Sequence, residues 1–163
     1  MKWAIGLAVI LVALVGCATD YQPNGLLGGF SDTQLDENVF NITFRGNGYT
    51  SMERASDFTY LRAADLTLKN GFTYFAVTYS TKNVSTSSFT TASQTTTQIN
   101  YYGGTAYATS QTTPGTTYTF NEPAVEMTVI CFAEKPQTDA TLFNAKFLSR
   151  SIRQKYKMEE PQD

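Results

Sequence analysis

Carboxylates are the groups in this chain whose type and spacing could support acid–base catalysis. The 163 residues include 14 Asp and Glu and no histidine. Without histidine, the Ser-His and Cys-His nucleophiles and most zinc sites are excluded. Two carboxylates can still divide the acid and base roles when their surroundings separate their pKa values. The candidate pairs combine an early acid with one on a later helix: Asp36 or Glu37 with Glu53, Asp57 or Asp65.

The same region could form a polar cluster. Its members are Asp36, Glu37, Arg45, Asn47, Arg62 and Asp65. The spacing gives no sign that the carboxylate pKa values are separated, so solvated charges on a helix and a loop are the simpler interpretation of the acids. For the cluster, a structural ion-pair network is favoured over an anion-binding site. The sequence predicts no metal site and no cofactor.

The chain starts with a sorting signal rather than with part of the fold. Lys2 is followed by an uncharged, almost wholly apolar run over 4–15. A membrane-spanning helix needs about 20 apolar residues, so this shorter run is typical of a secretory signal. The run ends in Leu14-Val15-Gly16-Cys17, which resembles the lipobox of bacterial lipoprotein precursors. An ordinary secretory signal with an incidental cysteine is the alternative.

The lipobox resemblance implies a lipid anchor. Cleavage would remove 1–16 as the signal peptide and leave Cys17 as the lipidation site, carrying fatty acids such as palmitate. Two or more acyl chains make membrane attachment stable. An aspartate directly after the cysteine tends to retain such proteins in the inner membrane, and here Ala18 and Thr19 follow. The resemblance therefore favours the outer membrane, with the domain facing the periplasm and the lipid bilayer as one partner.

Charge and cysteine content narrow the remaining possibilities. Without Lys2 the chain has 11 basic against 14 acidic residues, which argues against a nucleic-acid partner held by a basic patch. With Cys17 consumed by lipid, Cys131 is the only thiol, so an intramolecular disulfide is excluded. We expect Cys131 to be buried, because it alternates in phase with Val125, Met127 and Val129.

The stretch from Asn38 to Tyr79 predicts a strand (Val39–Arg45), a helix (Ser51–Asn70) and a second strand (Phe72–Tyr79). Thr50 and Glu53 have the spacing of a capping box at the start of the helix. Asn70 and Gly71 mark its end. A strand–helix–strand order favours a right-handed crossover between parallel strands.

Motifs in this block carry a second resemblance. They are Gly28–Asp32, Asp36–Asn38, Phe44–Thr50, Arg62–Leu68 and Asn70–Phe72, and together they resemble a small family of proteobacterial lipoproteins. The family more often has glutamate at the position of Asp65. The resemblance covers Cys17 to about Val77 and, weakly, the strand and helix after Glu122. The resemblance implies the same outer-membrane location and supports the predicted fold, but it implies no enzymatic reaction.

The other segments complete the predicted domain. The sequence predicts a lipidated tether and lead-in over 17–37, and Ser31 to Leu35 could form one helical turn. A Ser/Thr-rich loop is predicted over 80–97, followed by a β-meander or a long hairpin with a turn at Gly103-Gly104. A last strand is expected at Ala124–Ala133. Thr138 or Asp139 could then cap a final helix that runs to about Lys157, leaving 158–163 as a charged tail.

Four tyrosines lie in the predicted meander: Tyr101, Tyr102, Tyr107 and Tyr118. Exposed tyrosines can stack on sugars or contact proteins, because each has an apolar face and a hydroxyl. Ordinary cross-strand pairing is the simpler interpretation.

Taken together, the sequence predicts one α+β domain over 38–157, with a mixed β-sheet covered by two helices, a Ser/Thr-rich loop and a β-meander insertion. The predicted function is that of a non-catalytic envelope lipoprotein, not an enzyme, which binds or supports an envelope protein or glycan. A periplasmic hydrolase that uses carboxylates is the alternative. A deep cleft around the polar cluster would favour the hydrolase, and a closed network of ion pairs would favour the binding module.

Overall fold

The computed structural model describes residues 18–159. Its elements, in chain order, are β1 (Gly29–Asp36), β2 (Val39–Arg45), α1 (Met52–Lys69), β3 (Tyr74–Thr90), β4 (Gln94–Tyr102), β5 (Thr105–Thr113), β6 (Thr117–Phe132), β7 (Leu142–Asn144) and α2 (Ala145–Tyr156). The chain divides into two compact units. Thr86–Phe120 forms the ribbon unit, and the segments before and after it form the main unit.

The main unit has a five-stranded sheet in the order β1-β2-β6-β3-β7. Its pairings β1–β2, β2–β6 and β3–β7 are antiparallel. Thr73 N donates to Phe132 O and Thr78 Oγ1 donates to Thr128 O, so β3 and β6 also run in opposite directions. β2 and β3 are therefore the parallel strands that the strand–helix–strand order predicts, and β6 lies between them.

Alternation along two strands places the core. Phe40, Ile42 and Phe44 of β2 are buried, and Asn41, Thr43 and Arg45 point to the more accessible face. β6 buries Val125, Met127, Val129 and Cys131 in the same way. α1 packs against β2 and against α2, so both helices cover the apolar face. The predicted α+β domain, with a sheet covered by two helices, is confirmed.

The helix α1 begins one residue later than the capping box predicts. Ser51 is the N-cap, and its hydroxyl accepts from Arg54 N at 3.1 Å. Thr50 cannot serve as the cap because its hydroxyl accepts from Thr19 N at 2.9 Å and donates to Asn47 Oδ1 at 2.9 Å. The predicted end is correct, with Asn70 as C-cap and Gly71 at φ +81°.

The last helix also begins later than predicted. Asn144 caps α2, with its side chain accepting from Phe147 N at 2.9 Å. Thr138 instead closes a local turn, accepting from Ala140 N at 3.1 Å. The chain cannot become helical before Asn144, because Leu142–Asn144 pairs with the start of β3 as strand β7.

The segment 17–37, predicted as a tether and lead-in, contains a strand that the sequence pattern did not predict. Residues from Gly29 to Asp36 form an edge strand on β2, including the residues predicted as a helical turn. Ahead of that strand, Thr19 is buried and its hydroxyl joins two turns: it donates to Leu27 O at 2.7 Å and accepts from Asn47 N at 2.8 Å. The lead-in is therefore docked on the domain from Thr19 onward.

The segment 80–97, predicted as a loop, is mostly strand. β3 runs to Thr90 and β4 starts at Gln94. Of the two alternatives predicted after it, the long hairpin is confirmed, because β4 and β5 form a two-stranded antiparallel sheet whose turn is Gly103-Gly104. Its side chains are exposed throughout, so burial does not hold it together. Backbone pairing and hydroxyl pairs do: Thr95 with Thr112 at 2.9 Å, and Thr97 with Ser110 at 2.8 Å.

Neither helix in the described part of the chain, 18–159, is long and apolar enough to cross a bilayer.

Candidate functional site

Asp65 on α1 is the centre of a polar network between the lead-in and α2. Its Oδ2 accepts from the Tyr21 hydroxyl at 2.6 Å and from an Arg153 Nη at 2.6 Å. Its Oδ1 accepts from the Ser149 hydroxyl at 3.1 Å. Arg153 also donates to Ser149 and to Glu159 O. The carboxylate is therefore shared by groups from both ends of the described chain.

Arg62, one turn before Asp65 on α1, binds the edge strand. Its Nε and Nη2 contact Asp32 Oδ1 at 2.7 Å each, and its guanidinium lies 4.2 Å from the centre of the Phe30 ring. The ion pair and the cation–π contact together fix the position of the guanidinium in the folded domain. This pair fastens β1 to the helix.

Burial and the neighbouring carboxylate of Asp65 raise the pKa of Tyr21 well above its usual value. The phenol is therefore neutral and donates its proton to Asp65 at physiological pH. Each Asp65 oxygen accepts from at least one donor, and the Asp65 side chain is only 18% exposed. The network has the closed form that favours a structural or binding role.

The predicted polar cluster is not assembled as one site. Asp36 pairs with Val39 at one end of the β1–β2 hairpin, and Arg45 pairs with Gly29 at the other end. Six residues of strand at about 3.3 Å each separate those ends by about 20 Å. Glu37 lies at the turn beside Asp36, where its N–H donates to Asp36 Oδ1.

The two helix members and Asn47 have other partners. Arg62 and Asp65 lie on one side of α1 but bind Asp32 and Arg153 respectively. Asn47 belongs to the turn before α1, where its side chain accepts from Thr50 Oγ1 and Tyr49 N. The prediction failed because β1 was not recognised, and β1 supplies Asp32 as the nearer partner for Arg62.

The other two helix carboxylates share one lysine. Lys155 Nζ of α2 donates to Glu53 Oε1 at 2.5 Å and to Asp57 Oδ2 at 2.6 Å. Both hydrogen bonds raise the pKa of Lys155, and the bond to Asp57 has the larger effect. Tyr156 also donates to Asp57 at 2.8 Å. Burial, followed by the bond to Asp57, raises the pKa of Tyr156 to about 12. Both acids are thus engaged by cationic or neutral donors.

A shallow groove of about 420 Å³ lies beside this pair, between α1 and α2. Its walls are largely apolar, formed by Tyr60, Phe143, Leu148 and Ile152, with Asp57, Ser151 and Lys155 also lining it. Its one carboxylate, Asp57, is bound by Lys155 and Tyr156. The groove therefore has no second acid to complete the pair that acid–base hydrolysis needs.

Cys131 is buried, as predicted, and it is a free thiol. Burial raises the pKa of Cys131, and its sulfur lies 3.3 Å from the Thr67 hydroxyl. A buried thiol with a raised pKa is a poor nucleophile. Among residues 18–159, no group of three or more Cys, Asp or Glu side chains is placed to hold a metal ion. The predicted lipidation site, Cys17, lies outside the described residues.

The β4–β5 hairpin of the ribbon unit displays three of the four predicted tyrosines. Tyr102 and Tyr107 share one face, with ring centres 6.4 Å apart. Tyr101 is on the opposite face with Ile99, in the same row as Thr95 and Thr97. Tyr101 and Tyr102 are 74% and 71% exposed. The pairing of Tyr102 with Tyr107 satisfies the simpler interpretation only in part, because most of each ring stays accessible.

Tyr118 is separate from the hairpin, on β6. Its ring is stacked on Phe89 of β3, with centres 5.1 Å apart and planes 21° apart. The Phe89 ring also stacks on Phe120, with ring centres 5.9 Å apart. Tyr118 and Phe89 are both about half exposed. The ribbon unit thus displays aromatic rings on more than one of its strands, and residues 86–120 contain no charged side chain.

Sequence reasoning missed four members of the Asp65 and Arg62 networks: Tyr21, Asp32, Ser149 and Arg153. Tyr21 and Asp32 lie in the segment predicted as a tether, which has no apolar alternation. Ser149 and Arg153 are buried polar residues beside Ile152 of α2. A polar i, i+4 pair within the apolar side of a helix was the one available sign of a buried partner.

Comparisons with protein-family models, with curated proteins and with solved structures give no match. The functional proposal is therefore built from the motifs and geometry of this chain.

Proposed function

We propose that this chain is a non-catalytic lipoprotein of the cell envelope, anchored in the outer membrane through acylated Cys17, and that its ribbon unit binds an envelope partner. The proposal includes removal of 1–16, a periplasm-facing domain, and a partner that is an envelope protein or a glycan.

The anchor is supported by the first seventeen residues. One positive charge, a short apolar run and small residues before Cys17 together match the processing site of a lipoprotein. The resemblance to proteobacterial lipoproteins supports the same cellular location. The early docking of Thr19 agrees with it, because the folded domain then starts directly after the residue that would hold the lipid.

The observation that carries the binding role is the exposed, uncharged ribbon. A hairpin that is exposed along its whole length adds little to a core, yet it displays Tyr101, Tyr102 and Tyr107 with their rings accessible. Aromatic faces amid hydroxyl groups match the chemistry of sugars and of neutral protein surfaces. With no charge in 86–120, the partner surface need not be charged either.

The non-catalytic assignment is supported by the engagement of the carboxylates. Asp65 is bound by Tyr21, Ser149 and Arg153, and Asp57 by Lys155 and Tyr156. A general acid and a general base need separated pKa values and access to substrate. Among residues 18–159, the contacts of Asp57 and Asp65 do not favour the hydrolase alternative.

The test expresses variants of the full chain in a strain that lacks the gene for this protein and shows a phenotype as a result. A Tyr101/Tyr102/Tyr107→Ser variant should fail to complement the deletion, because it removes the accessible rings. The matched control is Tyr79→Ser, another tyrosine that is about half exposed but lies on β3 outside the ribbon unit. Circular dichroism should show that both variants fold.

Two other results would overturn parts of the proposal. A folded Asp57→Asn variant that fails to complement, while the triple tyrosine variant complements, would support a hydrolase. Equal incorporation of radioactive fatty acid into the wild type and Cys17→Ser would remove the lipid anchor.

A further inference from the structure

We propose that Leu26, Leu27 and Tyr49 form a lipid-contacting patch, which rests in the interfacial layer of the membrane that holds Cys17. This inference rests on the lipid anchor of the proposed function. It adds a second, non-covalent contact and therefore an orientation of the main unit on the bilayer.

The patch lies where the chain enters the fold. Thr19 is two residues after Cys17, a distance that extended chain can span by at most about 7 Å. Its buried hydroxyl joins the turn of Leu27 to the turn of Asn47, at 2.7 and 2.8 Å. Tyr49 belongs to the second turn, because its N–H donates to Asn47 Oδ1. An acylated Cys17 would thus hold these two turns against the membrane surface.

The first turn has an unusual composition. Gly25 and Gly28 exchange backbone hydrogen bonds at 3.2 and 3.1 Å, which leaves two leucines at the tip. Turn tips are ordinarily polar, but here Leu26 is fully exposed and Leu27 is 65% exposed. Single exposed apolar residues are normal on protein surfaces. Two at one tip, beside an anchor site, are expected to be buried by lipid.

The turn is fixed in position rather than loose. Gly28 has φ +86°, and a Cβ added there would lie 2.3 Å from Arg45 O. The glycine is required because the turn is pressed against the end of β2. The turn therefore keeps its tip directed away from the domain at little cost in conformational freedom when it enters lipid.

The surroundings suit an uncharged lipid interface. Residues 21–30 contain no charged side chain. Tyr49 is 66% exposed, and tyrosine favours the headgroup layer because its ring is apolar and its hydroxyl stays hydrated. The depression of about 260 Å³ next to the turn is lined by one cation and one anion, Arg45 and Glu122, together with turn residues and Asn47. We therefore expect contact with neutral phospholipids, without a requirement for anionic ones.

The test uses the full-length, lipidated protein in vesicles of phosphatidylcholine and phosphatidylethanolamine. The processed wild type has no tryptophan, because Trp3 is removed with 1–16, so each introduced tryptophan reports its own position. The Leu26→Trp variant should be quenched by brominated acyl chains, whereas the matched probe Tyr79→Trp on β3 should show little quenching. A Leu26→Ser/Leu27→Ser variant should transfer between vesicles at least tenfold faster than wild type.

Leu35→Ser is the matched control for transfer, since Leu35 is also an exposed leucine but lies near the far end of β1. It should transfer at the wild-type rate. Intact fatty-acid labelling with no more quenching at position 26 than at position 79 would overturn the patch and leave the anchor standing. Absence of labelling would overturn both. Cross-linking of position 26 to a second copy in place of quenching would also overturn the patch.

Discussion

At the scale of single residues, substitution of Asp65 is expected to destabilise the fold. The side chains of Asp65 and Arg153 are only 18% and 10% exposed, so neither charge can recover its hydration if the other is removed. The cost of breaking such a pair is mainly that of the charge left behind. The tyrosine and serine donors bind the same carboxylate, and they add specificity to its position.

Asp65→Asn should lower the free energy of unfolding by about 2–3 kcal/mol, because Arg153 would remain charged and nearly buried. Urea unfolding at pH 7 measures the change. Glu134→Gln, an exposed carboxylate between β6 and β7, is the control and should stay within about 0.5 kcal/mol of wild type. An Asp65→Asn variant as stable as this control would show that the network contributes nothing to folding.

The raised pKa values of two tyrosines make the stability of the fold decrease at alkaline pH. The folded-state pKa of Tyr21 and that of Tyr156 are raised, the latter to about 12, and that of Lys155 is raised as well. Above pH 10 the unfolded chain releases phenolic protons that the folded chain retains. Each further rise in pH then favours unfolding, whereas below about pH 10 the contribution is fully present.

We therefore expect the free energy of unfolding to be steady from pH 8 to about 9.5 and to fall between about pH 10 and 12. Urea unfolding at several pH values measures this. Tyr21→Phe should be less stable at pH 8 but should show a shallower alkaline fall, because it lacks one of the retained protons. A fall equally steep in Tyr21→Phe and wild type would contradict the assignment.

At the scale of elements, burial decides what sequence can predict. β2 was predicted with its observed bounds, since Phe40, Ile42 and Phe44 alternate with polar residues along a half-buried strand. β1 lies against it with six of its eight side chains exposed, so no alternation marks it. β1 forms because it pairs with the free edge of β2. That edge exists only in the folded sheet, so the local sequence of β1 does not reveal the strand.

The same reason explains the ribbon. Its Ser and Thr residues have few apolar neighbours, and this composition is also typical of mobile loops. The strands form because Thr hydroxyls pair across them and the backbone continues the ladder. The Asp65 network was also difficult to predict, because it joins Tyr21, Asp65 and Arg153, which are far apart in sequence.

The ribbon should be dispensable for the fold of the main unit. Replacing Thr86–Phe120 with an Asn-Gly turn, which favours tight hairpins, should shift the thermal midpoint by only a few degrees. The reason is that neither buried core cluster includes a residue from that range. Thermal unfolding followed by circular dichroism measures the shift.

Phe75→Ala is the comparison for this experiment. It removes a fully buried ring from the core, and substitutions of this kind cost about 3–5 kcal/mol. If the ribbon deletion lowers the midpoint as much as Phe75→Ala does, the ribbon supports the core and the two units are not separable in stability.

At the scale of the whole molecule, the main unit has one continuous core. Tyr60 and Leu148 each pack against both buried clusters. Two clusters that share these side chains should lose their packing together. Cys131 lies in one of the clusters and provides a chemical reporter of that event.

In a Cys17→Ser chain, the Cys131 thiol should react slowly with a thiol reagent in the native state. Its rate should rise with urea in parallel with the loss of far-ultraviolet circular dichroism, because only global opening exposes it. The urea-unfolded chain supplies the reference rate. Fast labelling before any loss of secondary structure would show that β6 opens locally.

In the envelope lipoprotein that we propose, the network around Asp65 would also set an order of events during export. Tyr21 would leave the translocation channel well before Ser149 and Arg153, which complete the binding of Asp65 and lie far behind Tyr21 in the sequence. We expect the lead-in to remain undocked, and Cys17 accessible to the enzymes of lipid attachment, until α2 has been exported. A chain stopped after Asn144 should accordingly take up labelled fatty acid at the same initial rate as the full chain. Slower uptake by the full chain would mean that docking precedes acylation.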